Sequence, residues 1–146
     1  MSLTLTIDGE RWRRHLLAVA ADNPGLVPVA KGNGYGVTIG RLARRSQWLA
    51  ERGLGVDTLA VGTYDELPQA ATRFDGSLLV LTPWRPFGAA LELDTTLAER
   101  VVHTVGRLED LQALLERDPR ARYVLEEVTS MLRHGLSPRE LRAAAA

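Results

Sequence analysis

Residues 27–36 read VPVAKGNGYG, a short apolar run that ends in a lysine and breaks into a glycine-rich turn. The run Leu26–Ala30 is too short for a helix, and its valines favour a buried strand. Downstream, Ile39–Gly53 places Leu42, Ala43, Leu49 and Ala50 on one helical face. A strand, a tight loop and an amphipathic helix make one βα unit. In parallel α/β folds, sites form at the C-terminal ends of the strands. Lys31 is therefore expected at the mouth of the fold, its amine within reach of a carbonyl. Gly32, Gly34 and Gly36 let the backbone turn sharply and come close to a ligand. The Tyr35 hydroxyl could meet a phosphate oxygen, or its ring could simply pack in the turn, and the pattern leaves both open.

The same rhythm runs along the chain. Leu3–Ile7 reads as a strand and Glu10–Ala21 as a helix with Trp12, Leu16, Val19 and Ala20 on one face. Thr58–Gly62, Ser77–Thr82, Val101–Val105 and Tyr123–Val128 are strand-like. Between them, Asp65–Phe74 and Arg107–Arg117 read as helices, with weaker helical stretches at Pro86–Leu91 and Leu97–Arg100. Ser137-Pro138-Arg139-Glu140 is a capping box that opens a last helix. About five βα units follow the N-terminal helix, which argues for a parallel sheet covered by helices. A doubly wound open sheet and part of a (β/α)8 TIM-type barrel both fit. A complete barrel takes ~250 residues, more than the 146 here.

Composition narrows the function. Apolar content is 45% and charged content 25%, the balance of a globular domain. Basic and acidic residues number 18 each, so no global charge invites nucleic acid or an anionic membrane. No apolar run reaches the ~20 residues needed to span a bilayer, and the N-terminus lacks a signal-peptide core. The chain has no cysteine, hence no disulfide or thiolate metal site. A cytoplasmic setting and no bound metal are the expectation. GNGYG meets neither the dinucleotide fingerprint nor the P-loop pattern. Of the 18 basic residues, Lys31 alone is lysine. Arginine stays protonated and is a poor nucleophile, whereas a lysine amine can be freed for covalent chemistry, so Lys31 is a candidate for catalysis.

VAKGNGYG resembles the pyridoxal-phosphate (PLP) attachment segment of alanine racemases, with Lys31, Asn33, Tyr35 and Gly36 in matching positions. Val37 departs from a histidine common there, and Gly32 and Gly34 replace alanines. LAVGTYDEL (59–67) and SLLVLTPW (77–84) resemble the next two strands of that family, and TSMLRHG (129–135) carries its Thr, Met, Arg and Gly. The resemblance implies that Lys31 holds PLP and acts as one of two catalytic bases. It also implies that Tyr35 bonds the cofactor phosphate and that Arg133 meets both the cofactor's phenolic oxygen and the substrate carboxylate. Met131 would lie near the substrate, a small amino acid, alanine by default. Many racemases carry a modified, negatively charged lysine seven residues before this arginine. Here Glu126 occupies the place, as partner of Arg133 or as a plain acidic residue at a strand end. His134 and Ser130 replace apolar or small residues.

The resemblance covers nearly the whole chain but only the front of such an enzyme. Residues 1–146 would be the N-terminal part of a PLP-binding barrel, with the C-terminal barrel strands and the β domain absent. A homodimer is expected, since a cut sheet leaves an unpaired edge. The rival readings are a non-catalytic PLP-binding single-barrel protein and an unrelated α/β binding domain with Lys31 on its surface. GNGYG favours the racemase branch. Among other polar residues, His15 is expected at the surface and His103 as a satisfied polar neighbour. His134 is expected near the site, and Trp84 in core or loop packing.

Overall fold

A computed structural model describes residue 4 and residues 6–144. Helix α1 (Gly9–Asp22) starts where Asp8 Oδ1 accepts the Glu10 and Arg11 N–H groups at 3.0 Å each. Then come α2 (Ile39–Ala50), β1 (Thr58–Val61), α3 (Leu67–Ala71), β2 (Ser77–Val80), α4 (Thr95–Ala98), β3 (Val101–Val105), α5 (Leu108–Arg117), β4 (Arg122–Leu125) and α6 (Pro138–Ala144). Short 3-10 turns at Tyr64–Glu66 and Gly88–Leu91 precede α3 and α4.

All strand pairs are parallel, and the order across the sheet is β1-β2-β3-β4. Leu26–Ala30 lies beside β1 through one parallel bridge, Val29 with Ala60. There the Ala30 N–H donates to the Ala60 carbonyl, and the Ala60 N–H to the Pro28 carbonyl, both at 2.8 Å. Pro28 has no N–H to extend the ladder, so the expected strand shrinks to that bridge. Counted with it, five βα units follow α1 in unbroken spatial order. A doubly wound sheet reverses its strand order at a switch point, and no reversal occurs. The architecture is that of a partial (β/α)8 barrel.

The register divides the sheet into two faces. Leu59, Leu78 and Val101 align on one, and Val61 and Val80 follow two residues on. These side chains are buried with Ile39, Ala43, Leu67, Phe74, Leu111 and Leu114 in a single core under α2, α3 and α5. Trp84 is also buried there, as core packing requires. A smaller cluster of Ala20, Leu49 and Val56 docks α1 on α2. On the other face, Val29, Ala60, Leu79 and Val102 align. Val29 and Val124 are exposed there, and Leu79 and Val102 half-buried. This is the side that faces a barrel's interior.

Some expected elements differ. Of the N-terminal strand, Leu3 and Leu5 lie outside the described residues, and Thr4, Thr6 and Ile7 belong to no strand. The helix expected at Asp65–Phe74 splits, because Pro68 suits the first turn of a new helix. Strand β4 stops at Leu125, opposite the end of β3. Beyond it, Glu127 forms a parallel bridge with Leu136. The capping box holds: Ser137 Oγ accepts the Glu140 N–H at 3.3 Å, and the Ser137 N–H donates to Glu140 Oε2 at 2.8 Å.

One buried carboxylate ties the loop after β2 to the start of α5. Asp110, 1% exposed, accepts from Arg107 Nε at 2.7 Å and Nη2 at 2.9 Å, and pairs with Arg85. Burial pushes its carboxyl up, but the bonds and charges of Arg107 and Arg85 outweigh this and hold it below the usual carboxylate range. Stability from a carboxylate of this kind is full above the unfolded pKa of about 3.9. It fades as pH falls through the lower folded value. Asp110→Asn should cost roughly 2–3 kcal/mol at pH 7. Melting curves taken from pH 7 down to pH 3 should show the gap to wild type narrowing with acid.

Candidate active site

The loop that carries Lys31 is shaped by local bonds. The Lys31 carbonyl accepts the Gly34 N–H at 3.0 Å, and the Gly34 carbonyl accepts the Val37 N–H at 2.9 Å. Asn33 Oδ1 accepts the Gly36 N–H at 3.1 Å. Asn33, matched by the motif, thus folds the loop. Thr38 Oγ1 then accepts the Arg41 N–H and caps α2. Gly34 has a φ of 65°, and a Cβ there would sit 2.2 Å from the Thr38 carbonyl carbon. Tyr35 and Thr38 carry positive φ as well, at 55° and 79°. Non-glycine residues in that region cost energy and cluster at functional sites.

Side chains alternate along a strand, so Lys31 follows Val27 and Val29 onto the open face. Gly62 and Leu81 follow Ala60 and Leu79 onto the same face. These positions meet in a cleft of about 580 Å³ lined by Lys31, Tyr35, Glu66, Thr82, Arg133 and His134 among others. Residues singled out in sequence therefore share one cavity: Lys31, Tyr35 and Arg133, with Asn33 and His134 beside them. Met131 does not line it and is 67% exposed on the neighbouring turn.

Glu126 follows β4 and faces the same turn. Its Oε1 is 3.6 Å from Arg133 Nη2, and its Oε2 is 3.4 Å from His134 Nε2. Oε2 is buried without a hydrogen-bond partner among the described residues. A buried, under-satisfied carboxylate favours cationic neighbours. Arg133 brings the fixed positive charge to this side of the cleft.

On the opposite wall stands Glu66, whose contacts the sequence reading did not foresee. It lines the cleft and binds backbone N–H groups of both adjoining loops. A Thr-x-x-Glu spacing at Thr63–Glu66 was the available signal, since that spacing marks capping boxes.

Two histidines lie elsewhere. His15 is exposed on α1. His103 points to the helix side, where its Nδ1 and the Tyr64 hydroxyl share a hydrogen bond of 2.7 Å. Burial pushes the imidazole below its usual pKa, against the charge of Asp118, and pushes the Tyr64 phenol up. Both groups are thus kept neutral, as a structural pair away from the cleft.

The family described as alanine racemase, N-terminal domain, matches residues 7–146. The chain belongs to that family. Among solved structures, the biosynthetic alanine racemase from Pseudomonas aeruginosa aligns with a TM-score of 0.69 at 22% identity, over 92% of this chain. Identity at that level speaks to the fold alone. The chain spans 36% of the length of that enzyme. No curated protein matches it significantly. Among the described residues, no helix is long and apolar enough to cross a membrane, and no cluster of His, Asp or Glu could hold a metal ion.

Gly34→Ala tests whether the loop geometry is obligatory. The added methyl meets backbone, which cannot swing aside, so the variant should lose roughly 2 kcal/mol or more of stability. Thermal melting and the amide spectrum of residues 31–38 would register the change.

Proposed function

We propose that this chain is the N-terminal part of a PLP-dependent amino-acid racemase of the alanine racemase type. One observation carries the reading: the only lysine amine in the chain and the Arg133 guanidinium line the same cleft at the C-terminal end of a barrel-type sheet. The donor set suits pyridoxal phosphate. A primary amine can take its aldehyde, a guanidinium its phenolic oxygen and a phenol its phosphate. The cleft volume falls within the ~300–1,000 Å³ typical of cofactor sites.

When bound, such a cofactor supplies an electron sink for the charge left as a Cα–H bond breaks. The rest is the work of this chain's residues. Lys31 Nζ would hold the cofactor covalently and, once released, take or return the Cα proton on its own face. Arg133 would offer paired N–H donors to a carboxylate, which a planar guanidinium does well. Glu126 would keep Arg133 turned toward the cleft by charge attraction, without any modification of the side chain. The Tyr35 hydroxyl would bond the phosphate, and Met131 would approach the substrate only if its turn moved inward or it served a neighbouring subunit's site.

Racemisation needs a second base on the opposite face. The reading places that base, the remaining barrel strands and a β domain outside residues 1–146. It also expects a homodimer, a small amino acid as substrate and a cytoplasmic setting.

Adding PLP to the 146-residue chain, reducing with borohydride and mapping the product should give one modified side chain, Lys31. Lys31→Ala should abolish that label, and Arg133→Ala should weaken PLP binding about tenfold, the worth of one charge-assisted bond. The chain alone should not interconvert D- and L-alanine. Label spread over other sites, or unchanged in Lys31→Ala, would return Lys31 to the status of a surface residue.

A further inference from the structure

Lys31 has a long flexible stem, so the direction of its amine depends on how its root is held. Three backbone groups around the root are tied. The preceding N–H, of Ala30, donates to Ala60 on β1. Its own carbonyl accepts from Gly34. The following N–H, of Gly32, donates to Glu66 Oε1 at 2.7 Å. The other oxygen of the same carboxylate accepts the Gly62 N–H at 2.6 Å and the Thr63 N–H at 3.3 Å. One side chain thus clasps the loop after Ala30 to the loop after β1, across 34 residues of sequence.

Gly62 closes the arrangement. A Cβ added there would lie 3.1 Å from Lys31 Cβ and 3.1 Å from Glu66 Oε2. The bare glycine lets the lysine root and the carboxylate pack against the same point just past β1.

We propose that Glu66 is a positioning residue for Lys31, fixing the peptide that roots the lysine so that its amine reaches one place in the cleft. The proposal rests on the reading of Lys31 as the cofactor-holding residue. A carboxylate is suited to the task because both oxygens only accept, and bonds to a charged acceptor are the stronger kind. Glutamine has nearly the same shape but would turn an NH₂ group toward N–H donors.

The test compares wild type with Glu66→Gln, after melting curves establish that both are folded. Each is treated with PLP and borohydride, and separately with formaldehyde and borohydride, and modification of Lys31 is measured by mass. Formaldehyde needs only an accessible amine, whereas PLP needs the amine in place. The variant should fix PLP at Lys31 about tenfold less well, with formaldehyde methylation of the same amine unchanged. Equal PLP fixation in the two proteins, or equal loss with both aldehydes, overturns the proposal. If neither protein fixes PLP, the cofactor reading of Lys31 fails by itself. The positioning claim is then decided by carbon-13 relaxation of the lone lysine: greater motion at Lys31 Cβ in the variant upholds it, and unchanged motion overturns it. Should Glu66→Gln not fold, Gly62→Ala, which presses on both partners, takes its place with the same readouts.

Discussion

The strands follow one another across the sheet in chain order, and most of the structure depends on that constraint. A strand–helix–strand connection between parallel neighbours is right-handed, so repeated steps in one direction stack every helix on one face. Leu59, Val61, Leu78, Val80 and Val101 are buried under α2, α3 and α5 for that reason. On the opposite face Val29 and Val124 are exposed and Leu79 and Val102 half-buried. Lys31 lies on the open face by simple alternation, two residues beyond Val29. An even shift in register would move the bond pattern. An odd one would turn the lysine into the helix layer.

Much of this was legible in the sequence. Parallel strands buried by helices read as short apolar runs, and Val101–Val105 matches its run end to end. The capping box at Ser137 was equally plain, since its residues satisfy each other within one turn. Leu3–Ile7 was less so. Alternating Thr and Leu have strand propensity, but a strand is made by its partner, and Thr4, Thr6 and Ile7 pair with none of the described residues. Pro28 trimmed an expected strand by withholding an N–H, and Pro68 split an expected helix by starting a new one.

In the site, Lys31 stood out through composition, a signal that survives any fold. Arg133 and Tyr35 were found by motif. Glu66 escaped notice because its decisive bond, to Gly32, is set by tertiary approach. The spacing of Thr63 and Glu66 told of a cap but not of the loop it would also hold. Met131 shows the reverse: its motif marks it for the site, yet it is exposed and does not line the cleft. Glu66 and Lys31 line the cleft with Arg133 and His134, and Glu126 lies 3.6 Å from Arg133 and 3.4 Å from His134.

The three tryptophans differ in a way that bears on how this molecule can be observed. Trp12 on α1 and Trp48 on α2 are half-buried, each beneath a guanidinium, of Arg45 at 5.1 Å and Arg52 at 3.9 Å. Trp84 is sealed in the core, one residue after Pro83 of the cleft wall. A sealed indole emits at shorter wavelength than a wet one, so the blue edge of the intrinsic fluorescence belongs to Trp84 in the loop after β2, next in sequence to a residue of the cleft wall.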